Sequence, residues 1–410
     1  MKIKNLYIEY FRGIKVANFT TLDKHINLFV GANGAGKSSI LDAIALVFSW
    51  YIARMQTIKG RGKDIPKDDI SIFSPNGCTI ELMMESEGKW KLYRSLKHKK
   101  TDKSDLSDMN KTVSMLREML DCDMDMSLPI FVHYGVNRII PNKYPRMPRG
   151  VNEETPLNAY KNALGSGLLF SDFFNWFRLS EDYENELFKS NNPYFQDPGL
   201  TAVRAAMEIV FPEYSNMRIS RRPLAMMMNK GNDIFKINQL SDGEKCYITL
   251  VCDIARRLAI ANPNMKNPLK GEGIILIDEI DLHLHPQWQQ TVISLLVKAF
   301  PNCQFFITTH SPIVASDTDG SVFVIKDGEI LKKQTFGKLS SDILSSVFGM
   351  STTRSINVQK LIDFSYNAIK DGKEDVYSQN INRLIGILGA DDLDIAGLKL
   401  EKIRQGKIRK

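Results

Sequence analysis

Apolar and polar positions along the chain switch repeatedly between two periods, and the switches mark the elements. Residues 26–30 form a mostly apolar run that reads as a buried strand and stops at a glycine-rich turn. A helix is expected from about residue 37 into the low fifties, with Ile40, Leu41, Ile44 and Leu46 inward. Runs at 79–84 and 90–96 flank Ser86-Glu87-Gly88 as a hairpin, and the polar stretch 97–111 reads as an exposed loop. Residues 128–134 form another apolar strand, followed by a Pro/Arg/Gly-rich connection at 141–150. Beyond it Phe170, Phe173, Phe174 and Phe177 recur at i, i+3, i+4 and i+7. That is one apolar helix face, read as core packing in a helical insertion reaching about residue 211. From Ile234 strand and helix alternate again: a strand at 274–277, a helix at 286–299 and a strand at 304–308. Runs at 321–326 and 329–332 flank Asp327-Gly328, a hairpin signal. The last seventy or so residues read as helical. The expected class is α/β with mixed parallel and antiparallel sheets, a helical insertion and a helical C-terminal region.

Composition narrows this little. Among 410 residues, 43% are hydrophobic and 25% charged, which is ordinary for a globular chain. No stretch approaches the roughly 20 apolar residues that cross a bilayer, so no membrane is expected. The N-terminus reads as a strand and lacks the apolar core of a signal peptide. Five scattered cysteines, Cys78, Cys122, Cys246, Cys252 and Cys303, show no CxxC spacing. They argue against a disulfide framework or a zinc site and point to the cytoplasm. The net charge of +7 is partly clustered, at Lys89, Lys91, Arg94, Lys97, Lys99, Lys100 and Lys103 and at Lys399, Lys402, Arg404, Lys407, Arg409 and Lys410. Such runs can meet nucleic-acid phosphate, though they are more often solvated faces.

Chemistry enters at 31–38, where Gly31-Ala-Asn33-Gly34-Ala35-Gly36-Lys37-Ser38 satisfies GxxxxGK[ST] between an apolar strand and a helix. Glycines let the backbone curl so that successive N–H groups face phosphate oxygens, and the helix N-terminus adds its dipole. Lys37 is placed to neutralise the β- and γ-phosphates of ATP, and Ser38 to ligate Mg²⁺. A second apolar run, 273–277, ends in Asp278 and Glu279. With the phosphate loop present, Asp278 becomes the expected Mg²⁺ partner and Glu279 the group that polarises water.

Three further segments choose among nucleotide hydrolases. Leu240-Ser241-Asp242-Gly243-Glu244-Lys245 resembles the LSGGE signature of ABC ATPases, with Asp242 in place of the first glycine. Phe306-Ile-Thr-Thr309-His310-Ser311-Pro312 resembles the H-loop, and Asp281 fits the D-loop. About 200 residues separate Lys37 from Ser241, more than a compact transport ATPase needs. Tyr10-Phe11-Arg12-Gly13 resembles the opening of RecF, SMC and OLD-like ATPases. The stretches 239–245, 253–258, 277–289 and 308–312 look like a group of stand-alone bacterial ATP-binding proteins shading into Septu and retron-linked anti-phage ATPases.

The resemblance implies an ABC-type head divided at 1–140, 141–215, 216–335 and 336–410: a lobe with the phosphate loop, the insertion, a lobe with signature, acid pair and H-loop, and the helical tail. It implies at least a homodimer in which Ser241 and Gly243 contact the partner's γ-phosphate, with His310 sensing it. It extends the nucleotide-binding set to Arg12, Asn33, Ala35, Ser39 and Glu244. The functional expectation is the ATP-hydrolysing subunit of a bacterial anti-phage module that regulates a separate nuclease. The alternatives are a RecF-type ATPase that binds DNA directly and a non-enzymatic ATP sensor. Asn137, in the lid-like stretch holding Tyr134 and Arg138, is a weak substitute for a Q-loop glutamine. His283 and His285 lack a third or fourth ligand and read as structural. Asp392-Leu-Asp394 spells DxD but sits in the helical tail, so no nuclease of its own is expected.

Overall fold

The computed structural model describes residues 1–96, 103–138, 155–165, 170–189, 194–326, 328–350 and 352–408. The Pro/Arg/Gly-rich connection at 141–150, Lys97, Lys99 and Lys100 of the first basic run, and Arg409 and Lys410 of the second lie outside them. The chain opens with β1 (Ile3–Phe11) and β2 (Ile14–Phe19), and β1 turns Ile3, Leu6, Ile8 and Phe11 inward. β3 (Ile26–Gly31) is buried at every position, as a strand inside a parallel sheet must be. It leads through the glycine turn into α1 (Lys37–Gln56), then the hairpin β4 (Gly77–Met84) and β5 (Lys89–Ser95). α2 (Ser107–Cys122), β6 (Ile130–Tyr134), α3 (Phe170–Lys189) and α4 (Pro198–Val210) follow. Next come β7 (Tyr214–Arg221), β8 (Leu224–Lys230), β9 (Asp233–Lys236) and α5 (Asp242–Ala261). After β10 (Gly273–Ile277), α6 (Pro286–Gln289), α7 (Val292–Ala299) and β11 (Cys303–Thr309) come α8 (Pro312–Asp317), β12 (Ser321–Lys326) and β13 (Glu329–Lys333). The chain ends in α9 (Ser340–Ser346), α10 (Ile356–Asp371), α11 (Glu374–Leu388) and α12 (Leu393–Ile408).

Three sheets result: β2-β1-β4-β5, antiparallel; β13-β12-β3-β11-β10-β6, parallel except for β13; and β7-β8-β9, antiparallel. α1 touches strands of both larger sheets. Phe48 and Tyr51 on α1 stack with Phe131 of β6 and Trp90 of β5, with ring centroids 4.3 Å apart for Phe48–Phe131 and 5.8 Å for Tyr51–Trp90. Phe170, Phe173, Phe174 and Phe177 of α3 are buried, so the apolar stripe is core.

Four readings change. The expected loop at 97–111 gives way to α2 from Ser107, whose Met109 and Val113 supply the buried face that its polar composition hid. The helix expected at 286–299 breaks between α6 and α7 at Gln290 and Thr291. The small sheet β7-β8-β9 had no counterpart before Ile234. Finally, α1 is long and apolar enough to cross a membrane by length and composition. Its Ile40, Leu41, Ile44, Val47 and Phe48 are fully buried between sheets, which accounts for that composition.

Contacts divide the chain into two units, Met1–Ser340 and Ser341–Lys410. The second has its own core of Ile362, Ile369, Leu384, Ile395 and Leu398. Within it, Arg354 binds both Asp392 and Asp394, so the DxD carboxylates are a helix anchor.

Candidate nucleotide site

β3, β11 and β10 are adjacent and parallel, so the loops after them open at one edge of the sheet. Val30 stands opposite Thr309, and Ile307 opposite Ile277. The phosphate loop, His310 and the acid pair therefore converge at the carboxyl edge, where α/β sheets bind ligands. Ser38 Oγ donates to Asp278 Oδ1 at 3.0 Å, joining motifs 240 positions apart.

The loop itself is shaped for an anion. Gly34 and Gly36 have φ of 78° and 98°, left-handed conformations that side chains resist. Gly36 caps α1 with no side-chain hydrogen bond, and no acid lies in the first turn. The orphan N–H groups at this N-terminus are thus left without a protein capping side chain. Lys37 is buried, with Nζ 3.0 Å from the carbonyls of both Gly31 and Ala32. Burial pulls its ammonium below the usual lysine value, while Glu279, Asp278 and Asp281 work the other way. Asn33 and Ser38 are exposed, and Ala35 and Ser39 half-buried, along the same turn. Uncapped N–H groups, a lysine, a serine and a carboxylate form a donor set that fits a Mg²⁺–nucleotide.

The acid pair is held by partners that sequence reading did not assign. Thr308 Oγ1 donates to Asp278 Oδ1 at 2.5 Å and accepts the Glu279 N–H at 2.7 Å. Thr309 Oγ1 donates to Asp281 Oδ1 at 2.5 Å, and the His310 N–H reaches the same oxygen at 3.3 Å. The Thr-Thr-His run was visible as an H-loop, but only register shows that its threonines brace the acids. Arg138 Nη2 donates to the carbonyls of Asp278, at 2.7 Å, and Glu279, at 2.5 Å. Its neighbour Asn137, the weak Q-loop substitute, is exposed.

Ser241 is exposed at the N-cap of α5, and Gly243 is buried against the D-loop. A Cβ on Gly243 would lie 2.0 Å from the His283 carbonyl, so only glycine lets signature and D-loop meet. Two residues expected at the nucleotide already have partners within the chain. The Glu244 carboxylate closes a capping box with Ser241 and takes bonds from Tyr214 Oη, at 2.7 Å, and Lys230 Nζ, at 2.9 Å. Burial works against its ionisation, but Lys230, Tyr214 and Ser241 outweigh it and bring its pKa to about 2. Arg12 is bound by Asp42 and, at 2.9 Å, by Asp69, so its guanidinium is already committed to carboxylates. His285 accepts the Gln287 N–H to start α6, and His283, also exposed, has a φ of 62°.

Deeper along α5, Asp253 is enclosed by Arg256 at 2.6 Å, Arg257 at 2.8 Å and Tyr134 Oη at 2.8 Å. Arg257 also donates to the carbonyls of Ala159 and Lys161, tying the helix to the segment that follows the connection.

This chain is similar to several known proteins. A retron Ec83 probable ATPase of Escherichia coli is 28% identical, with the alignment covering 98% of this chain and 86% of that protein. A retron Vc95 probable ATPase of Vibrio cholerae serotype O1 biovar El Tor is also 28% identical, over 92% and 85%. The Septu protein PtuA of Bacillus mycoides is 28% identical over 86% of this chain and 44% of its own length. Among solved structures, the SMC head domain of Thermotoga maritima matches at a TM-score of 0.44 and 16% identity, covering 82% of this chain and 99% of that one. The profile of the RecF/RecN/SMC N terminal domain matches residues 2–331, and the chain belongs to that family.

Proposed function

We propose that this chain is the ATP-hydrolysing subunit of a bacterial anti-phage module, working in the cytoplasm, whose two copies clamp around ATP and regulate a separate nuclease. The observation that carries the reading is the 3.0 Å bond from Ser38 to Asp278, which unites phosphate loop and acid pair at one sheet edge, while Ser241 stays exposed. Mg²⁺ bound there would draw charge from the transferring phosphoryl group. Lys37 would neutralise phosphate, the α1 N-terminus would cradle it, and Ser38 with Asp278 would hold the metal. Glu279 orients and polarises the attacking water. His310, braced through Asp281, reads the state of the γ-phosphate, and Ser241 completes the site of the second copy. The retron and Septu relatives support the defence context, and the isologous pairing a signature requires supports a two-fold dimer.

Two measurements test this. Glu279→Gln should bind ATP and dimerise but turn over at least about 10³-fold more slowly; turnover equal to wild type removes the catalytic assignment. Lys37→Ala and Ser241→Ala, each inactive alone, should recover turnover when mixed, because one mixed site keeps both groups. A mixture that stays inactive removes the shared-site dimer.

The DNA-binding reading rests on the two basic runs, whose charges are partly spent: Lys89 pairs with Glu81, Lys402 with Glu374 and Arg404 with Glu401. ATP-dependent, salt-sensitive duplex binding would favour it over nuclease control.

A further inference from the structure

We propose that Arg138 is a positioning residue for hydrolysis, fixing the backbone on which Glu279 is presented to the reacting water. This rests on the ATPase reading of the same site and adds a residue to it. Glu279 has a φ of 47°, a left-handed conformation that a non-glycine residue keeps only when its surroundings enforce it. Two side chains do so here, beside the Leu282 N–H, which donates to the Glu279 carbonyl at 3.1 Å. Thr308 Oγ1 accepts the N–H on one side of the residue, and Arg138 Nη2 holds the carbonyl on the other together with that of Asp278. The peptide between Asp278 and Glu279 is thereby clamped at both ends, and the side chain leaves it in one direction.

The choice of arginine is informative. The residue is only 6% exposed. Among the described residues its recorded acceptors are carbonyls, and no carboxylate stands at ion-pair distance. Burying a guanidinium is costly, and a neutral amide would serve a purely structural clamp at lower cost. What the charge adds is its place beside Asp278, Glu279 and Asp281, three carboxylates gathered at one sheet edge. Burial pulls the guanidinium down from its ordinary value, and Cys246 and those three acids oppose that pull. Arg138 is itself fixed from the signature helix, where Cys246 Sγ donates to its carbonyl at 2.9 Å. The stretch between β6 and the connection thus acts on Glu279 through the backbone.

The test separates position from general support. Arg138→Gln should lower kcat about 100-fold, the scale of a catalytic group displaced by about an ångström, while the Kd for Mg²⁺-ATP stays within about threefold. In the Glu279→Gln background the same substitution should change the residual rate by less than about threefold, since residues acting through one another are not additive. Wild-type kcat in Arg138→Gln overturns the proposal. So does a loss of affinity as large as the loss of kcat, or an undiminished loss in the double variant. Should Arg138→Gln melt before assay, Arg138→Lys gives the same readouts. A single ammonium in place of Nη2 should retain more kcat, with the same sparing of affinity and the same masking by Glu279→Gln. If wild type itself shows no turnover, the ATPase reading fails instead. The clamp is then read from amide hydrogen exchange at Glu279 and Ile280, which Arg138→Gln should accelerate and which unchanged exchange would refute.

Discussion

The N-termini of α1 and α5 both carry nucleotide motifs, yet they are finished in opposite ways. α1 begins at Gly36 with no side-chain cap and no acid in its first turn. α5 begins at Ser241 with a complete capping box and two acids, Asp242 and Glu244, in its first turn. An uncapped helix start sacrifices stability unless something else meets its N–H groups, whereas a capped one is content alone. The first suits the ligand of the proposed function, an anion held by this chain itself. The second is a finished surface whose serine hydroxyl donates to Glu244 at 2.8 Å. To reach the nucleotide of another copy, Ser241 has to give up that bond.

The largest effect expected from breaking this contrast is at α1. Lys37→Ala should abolish turnover, by at least about 10³-fold. It should also abolish the melting shift that saturating Mg²⁺-ATP gives wild type, worth about 2.7 kcal/mol at a hundredfold excess over Kd. Differential scanning fluorimetry with and without nucleotide reads both states, and a retained shift would deny that α1 holds the phosphates. Next comes the interior of α5. Asp253→Asn leaves Arg256 and Arg257 buried without their carboxylate and should cost about 3–5 kcal/mol in urea unfolding, with or without nucleotide.

Smaller again is the α5 cap. Ser241→Ala should cost about 1 kcal/mol of stability in the absence of nucleotide, while its effect on turnover should appear only where two copies meet. The smallest effect concerns pH. Glu244 is depressed from 4.5 to about 2, so its contribution is fully present above pH 4.5 and is lost as pH falls toward 2. Glu244→Gln should flatten that part of the acid-unfolding curve; an unchanged curve would mean the capping box contributes nothing there.

Much of this was legible because the chemistry is written in contiguous words. The phosphate loop, the acid pair and the Thr-Thr-His run each sit where an apolar strand ends, so residue type and period agree. What stayed hidden was written across the chain. Arg138 meets the carbonyls of residues 140 and 141 positions away, and such acceptors leave no side-chain trace in sequence. The β7-β8-β9 sheet escaped because Leu224–Lys230 is rich in methionine, without β-branched residues or strict alternation. α2 escaped because only Met109 and Val113 of its sixteen residues are buried. Glu244 and Arg12 were read as nucleotide ligands from their place beside motifs, and their partners Tyr214, Lys230, Asp42 and Asp69 left no mark beside those motifs.

The strand order has a consequence for the making of the protein. β11, residues Cys303–Thr309, is slotted between β3 and β10, which are both synthesised earlier. A ribosome that has just released β10 has produced the phosphate loop and both acids, but not the strip of backbone that brings them side by side. The two halves of the site therefore meet only once β11 is in place.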